Sequence, residues 1–185
     1  MRPLDARAER SRAALLRAFV ELIFRNGFEA ISVQGIVSAA GTARSTFYEH
    51  FSSKEDILRA SMSRFFEVMA DCVSNDQQPA ELQHVLSHFW ENRRLTDAVF
   101  SGTPRQILSR SLSGLIEARL AQSEGAPPLI LPRPLAAIQL AEAQLALVES
   151  WLRGRAFCRP DAMATALYGT SRASIRALQN GSAPL

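Results

Sequence analysis

Residues Ser32–Lys54 read SVQGIVSAAGTARSTFYEHFSSK, and their spacing describes two short helices joined at a tight corner. Val33, Ile36, Val37 and Ala40 recur at three- and four-residue intervals, which gives the first helix one apolar face. Gly41 supplies the positive-φ backbone that a sharp helix-to-helix corner requires. Beyond it Ala43, Phe47 and Phe51 repeat every four residues and are expected to bury one face of the second helix. The other face carries Thr42, Arg44, Ser45, Tyr48, His50 and Lys54, all able to bond phosphates or base edges, with Glu49 as its only acid. A helix with that outward chemistry suits the major groove of DNA. Arg44 has the planar fork that matches a guanine edge. Thr42 and Ser45 can bond bases or phosphates. Ser32 and Gln34 open the preceding helix, which in motifs of this kind crosses the phosphate backbone.

Upstream, Leu15, Ala18, Phe19, Leu22 and Ile23 form one stripe of a helix expected over about Ala6–Asn26, with Gly27 as its stop and Phe28 packing back. Charge is uneven along the chain. Through Lys54 there are eight basic residues and five acidic ones, so the whole net charge of +3 sits in this first segment. The excess lies where a polyanion would be touched.

The run GTARSTFYEHFSSKEDIL (41–58) is similar to the signature of TetR-type transcriptional regulators: a Gly, a polar recognition helix, Tyr, one residue, His-Phe, then Ser-Lys-Glu. The upstream AALLRAFVELIFRNGFEAISV (13–33) agrees as well, and the resemblance covers roughly the first sixty residues. Gly35 departs from it, standing where relatives usually carry an acid, and so does Val37, where they usually carry Ala. The resemblance implies an all-α chain with a helix-turn-helix DNA-binding head (1–53) and a helical ligand-binding and dimerisation body (54–185). It also implies that Tyr48, His50 and Lys54 clamp the DNA backbone. A homodimer on a palindromic double-stranded operator, released by a small molecule, is the function it implies, most often as a repressor.

The body reads as helices throughout. Ser53 is a plausible N-cap, with Glu55 and Asp56 in the following first turn, and Leu58, Met62, Phe65, Met69 and Cys72 or Val73 continue as one stripe. Proline then marks the helix starts, at Pro79, Thr103-Pro104, Pro134 and Pro160-Asp161, with a short helix expected over Thr96–Ser101. GAPPLILPRP (125–134) is a loop. Leu135–Leu152 is apolar nearly all round, yet Gln139, Glu142 and Glu149 fall in one row, which reads either as a solvent stripe or as polar anchors of a pocket. By the resemblance, Phe65, Met69, Phe89, Trp90, Leu112, Ile116 and Glu142 are the candidates to face a ligand. The last helix is rich in Ala, Gly and Ser, and a two-fold pairing of it with its predecessor would use Val148, Trp151, Leu152, Met163, Leu167 and Ile175. Packing of the last helix on its own body is the alternative.

Other chemistries find little footing. There is no GxSxG, P-loop, HExxH or Cys–His grouping. His84, His88 and Glu91 share one helical face, but a closed metal site normally draws ligands from more than one element, so a solvated face is the better reading. No cofactor is expected. No apolar run reaches the roughly 18 residues a membrane span needs, MRPLDARAERSR does not lead into a signal-peptide core, and two isolated cysteines fit a reducing cytoplasm. The competing functions are a DNA-binding dimer without an inducer, its body serving dimerisation or a protein partner, and an enzyme that contains a helix-turn-helix-like fold.

Overall fold

A computed structural model describes residues 3–93, 99–122 and 126–180. Among them are eight helices and no strand: α1 Pro3–Asn26, α2 Val33–Ala40, α3 Arg44–His50, α4 Lys54–Ser74, α5 Leu82–Glu91, α6 Gly102–Gln122, α7 Arg133–Leu152 and α8 Pro160–Asn180. Half of the short helix expected over Thr96–Ser101, residues 96–98, lies outside the described residues. The chain divides into two compact units, one of Met1–Ser63 with Asp97–Ile107, the other of Arg64–Thr96 with Leu108–Leu185. No described helix is long and apolar enough to cross a membrane.

In the first unit, α1, α2 and α3 each pack on the other two. Their shared core is Leu15, Ala18, Phe19, Ile23, Phe28, Ile36, Val37, Phe47 and Phe51, all buried. Leu22 is half-buried, at the edge of the stripe expected for it. Gly27 ends α1 with φ 72°, and its N–H donates to Ile23 O at 3.0 Å, the left-handed stop that a side chain would strain.

The second unit is built on Phe65, Phe66, Met69, Leu86, Leu112, Ile116, Leu140, Leu145, Val148 and Leu167. Helix α5 begins at Leu82 rather than at Pro79, because Leu82 N–H closes a tight turn onto Pro79 O at 3.0 Å before the helix proper starts. Helix α8 packs on both α5 and α7. Across α4, α7 and α8 runs one buried polar link: Gln144 Nε2 donates to Met69 O at 3.0 Å and to Ser171 Oγ at 2.9 Å, and Ser171 Oγ donates to Leu167 O at 2.7 Å. Buried amides need such partners, so this link fixes the register of the three helices. Cys72 is fully buried, and burial pushes its thiol up to about 12, the charge of Asp71 adding to the shift.

Candidate nucleic-acid interface

The corner is held by its caps. Ser32 stands in extended backbone (φ −117°, ψ 156°) and its Oγ accepts from Gly35 N at 3.1 Å, which satisfies one of the free amides of α2. At the other end Gly41 takes φ 62° and ψ 35°; its N–H donates to Ser38 O at 3.3 Å and Thr42 N–H to Val37 O at 3.0 Å. The chain reverses there and α3 departs from Ala43. Ala43 is exposed as the N-cap of α3, so the buried face expected as Ala43, Phe47 and Phe51 starts one turn later than its periodicity implied. A residue before the first helical turn does not follow the helix's angular spacing.

Gly35 has an ordinary φ, and a Cβ built on it meets only Ser32 Oγ, at 3.5 Å. Nothing in the backbone demands glycine there. Gly35→Ala is expected to raise stability by about 1 kcal/mol through helix propensity alone. Thermal melting followed by circular dichroism checks it, and an unchanged or lower melting temperature counts against this account of α2.

Helix α3 is pinned from within by Phe47, whose ring lies 5.7 Å from Phe51 and 5.4 Å from Tyr48. Its outward side presents Arg44, Ser45 and Tyr48, all exposed, with Tyr48 half open to solvent. Arg44 Nη2 donates to Tyr48 OH at 3.3 Å, and the guanidinium lies 5.7 Å from the Tyr48 ring. The pair is an i, i+4 contact that holds the fork along the helix face. Seven residues make a helix about 10 Å long, close to the roughly 12 Å width of the major groove. Ser32 and Gln34 are exposed at the start of α2, where Gln34 Nε2 donates to Ser38 Oγ at 3.4 Å. Thr42 is half-buried, and its hydroxyl oxygen is enclosed without a hydrogen-bond partner.

His50 and Lys54 are engaged inside the first unit. His50 Nε2 and Ser11 Oγ lie 2.8 Å apart and tie α3 to α1. Lys54 Nζ donates to Phe28 O at 3.2 Å and Ile31 O at 3.5 Å, sits 4.5 Å from the centre of the Phe28 ring and lies 4.0 Å from Glu29. Its ammonium thus gathers the carbonyls of the α1–α2 connection. Beside it Ser53 Oγ accepts from Asp56 N at 3.2 Å, and Asp56 Oδ2 accepts from Ser52 N at 2.9 Å. The Ser53 hydroxyl holds the Glu55 carboxyl below its ordinary range. These contacts cap the start of α4.

In the second unit, four of the seven residues expected to face a ligand, Phe65, Met69, Leu112 and Ile116, are buried to 2% exposure or less. The Phe89 ring lies 4.3 Å from that of Phe65 at a tilt of 33°, and Trp90 stacks at 4.7 Å on Trp151. Glu142 is half-buried and accepts from Ser109 Oγ. Gln139, from the same sequence row, is exposed, and Glu149 pairs with Arg153 at 3.2 Å. All six expected interface residues, Val148, Trp151, Leu152, Met163, Leu167 and Ile175, are buried within the single chain to 4% exposure or less. Gln144, off that row, is the buried polar group that periodicity did not single out. Among the described residues no group of His, Cys, Asp and Glu is placed to hold a metal, and His84, His88 and Glu91 are all exposed.

Comparison with known proteins meets this geometry at the same segment. Residues 15–61 match the family described as bacterial regulatory proteins, tetR family. YxbF of Bacillus subtilis strain 168, described as an uncharacterized HTH-type transcriptional regulator, is 28% identical over 79 residues, 42% of this chain and 21% of that protein. YvdT of the same organism, described in the same words, is 44% identical over 46 residues, 25% of this chain and 24% of that one. The chain therefore matches about a fifth to a quarter of the length of these relatives. Over the whole chain the likeness is one of fold. A TetR transcriptional regulator from Streptococcus agalactiae 2603V superposes with a TM-score of 0.55 at 21% identity, covering 91% of this chain and 97% of that one. A tetR-family transcriptional regulator from Streptomyces coelicolor gives 0.53 at 21% identity, over 92% and 85%. The head, residues 15–61, therefore matches the tetR family of bacterial regulatory proteins, and over the rest of the chain the likeness to TetR regulators is one of all-helical fold.

Proposed function

We propose that the protein is a homodimer that binds a palindromic operator through α3 and is released from it by a small molecule bound in the body. The observation that carries the reading is the Arg44–Tyr48 pair on the outward side of α3, above a corner fixed at Gly41. In this reading Arg44 reads a guanine, Ser45 bonds bases or phosphates, and Tyr48, Ser32 and Gln34 meet the backbone, while Thr42, its hydroxyl enclosed, stays out of reach of the DNA. His50 and Lys54 act as braces that set α3 and α4 at their working angles.

That role for Lys54 differs in outcome from a phosphate clamp. Lys54→Ala is expected to lower stability by roughly 1 kcal/mol, since a partly exposed charged donor on two carbonyls contributes little more. The slope of DNA affinity against salt should stay unchanged. A flatter slope with an unaltered melting temperature would return Lys54 to the phosphates.

The dimer reading is supported by what α7 and α8 leave outside. The large residues are already buried in one protomer, whereas Leu135 and Ile138 on α7 stand 54% and 48% exposed. On α8 the exposed side carries Ala162, Ala166, Gly169, Ala173 and Ala177 together with Thr165, Thr170 and Arg176. A Cβ added at Gly169 meets nothing within 4 Å, so the protomer's own packing gives no reason for glycine in mid-helix. Close approach of a partner helix does. Effector binding rests on the apolar side chains Phe65, Met69, Leu112 and Ile116 of the body and on the half-buried Glu142, which accepts from Ser109 Oγ. The ligand would favour one spacing of the two heads and thereby shift the population away from the DNA-bound form. Capture of genomic fragments on the purified protein, followed by their release with fractionated metabolites, tests the whole reading. Retention of DNA that no fraction releases would favour a dimer without an inducer.

A further inference from the structure

The second unit contains a cleft of about 660 Å³ that none of the seven expected ligand-facing residues lines. It is formed by the C-terminal ends of α4, α6 and α8 with the loop leading to α7, and Ile130 N–H donates to Leu178 O at 2.9 Å, which straps that loop to α8. Its volume is that of an ordinary small-molecule site. Apolar walls come from Val73, Leu120, Leu129, Leu131 and Ile175. Two cations, Arg133 and Arg172, stand against one acid, Asp76.

Arg172 is unevenly satisfied. Its Nη1 donates to Val73 O at 2.7 Å, in the last turn of α4, and its Nη2 to Asp76 Oδ1 at 2.8 Å. Its Nε is buried and has no partner. The Asp76 side chain is 94% exposed, so it is a weak, solvent-screened occupant of Nη2.

We propose that this cleft binds an amphipathic monocarboxylate, whose carboxylate takes the place of Asp76 on Nη2 of Arg172 while its tail lies against the apolar residues of the cleft. Arg133 and the start of α7, which has no acid in its first turn, add positive potential. Because Nη1 stays on Val73 O, the bound acid is tied to the end of α4. The site stands on its own geometry; a role for it in DNA release rests on the effector reading above.

The test uses the full chain and three probes of equal carbon number: octanoate, 1-octanol and octylamine, each followed by calorimetry and by melting temperature. Octanoate is expected to bind and raise the melting temperature, the other two at least about tenfold more weakly, the ratio expected when a charge-assisted pair is lost. Asp76→Asn, at an exposed position that leaves folding intact, should tighten octanoate about two- to fivefold. Arg172→Gln should abolish its binding. Equal binding of octanol, no octanoate binding at millimolar concentration, or an Asp76→Asn variant with unchanged or weaker octanoate affinity would each overturn the proposal. Octanoate binding that leaves DNA affinity unaltered would uphold the cleft and remove it from the effector mechanism.

Discussion

Gly169→Arg is expected to convert the protein to monomers and to weaken operator binding by about two to four orders of magnitude. Two heads joined through one dimer bind a palindrome with the second contact made at high effective concentration, and that gain disappears when the protomers part. The position separates assembly from folding. It is exposed, a Cβ there meets nothing within 4 Å, and loss of a mid-helix glycine favours α8 by up to about 1 kcal/mol. The variant should therefore remain folded as a monomer with an unchanged helical spectrum, its melting temperature falling only by what dimerisation had contributed and no longer depending on protein concentration. Leu167→Arg would not make this distinction, because Leu167 is fully buried in its own protomer and a charge there unfolds the chain. Sedimentation decides the matter: a dimer of unchanged mass removes the outer side of α8 from the interface.

The second large effect is at Arg44. Arg44→Ala is expected to cost roughly 1–3 kcal/mol of operator binding, to relax preference at one base position in each half-site and to leave random DNA nearly untouched. Tyr48→Phe removes the hydroxyl that accepts from Arg44 Nη2 and should produce a smaller loss of the same kind, since the fork then loses its rest position but keeps its donors. Equal losses on operator and random DNA would make Arg44 a phosphate contact instead.

The parts of this fold that sequence made legible are those governed by local rules. The stripe of α1, the apolar face of α2, the stop at Gly27 and the corner at Gly41 follow from helical spacing and from the one residue that tolerates positive φ, and all appear as expected. What stayed illegible depends on partners far away in the chain. His50 meets Ser11, and Lys54 meets the carbonyls of Phe28 and Ile31, so their contacts inside the head follow from how three helices pack and from no motif. Gln144 reads as one more polar residue on an apolar helix until Met69 and Ser171 are seen to meet it. The interface residues show the same limit from the other side. Large side chains on α7 and α8 drew attention because size implies burial, and they are buried, but within one protomer. The small residues of the last helix were legible as a group, but which of them stay outside is read only from the folded chain, where Ala162, Ala166, Gly169 and Ala173 are exposed and Ala164 and Ser171 are buried. The cleft at Arg172 draws on segments around residues 73, 120, 129 and 172, too scattered for any pattern along the chain to announce.

The central claim is that α3 reads base pairs as one of two symmetry-related heads. Selection of binding sites from a random DNA library by the purified protein, repeated with Arg44→Ala, tests it most directly. The wild-type chain should enrich a two-fold symmetric sequence whose half-sites lie about one helical turn, or a multiple of it, apart. Arg44→Ala should lose one guanine preference in each half. Enrichment of a single asymmetric site, no enrichment at all, or the same sequence from both proteins would contradict the account.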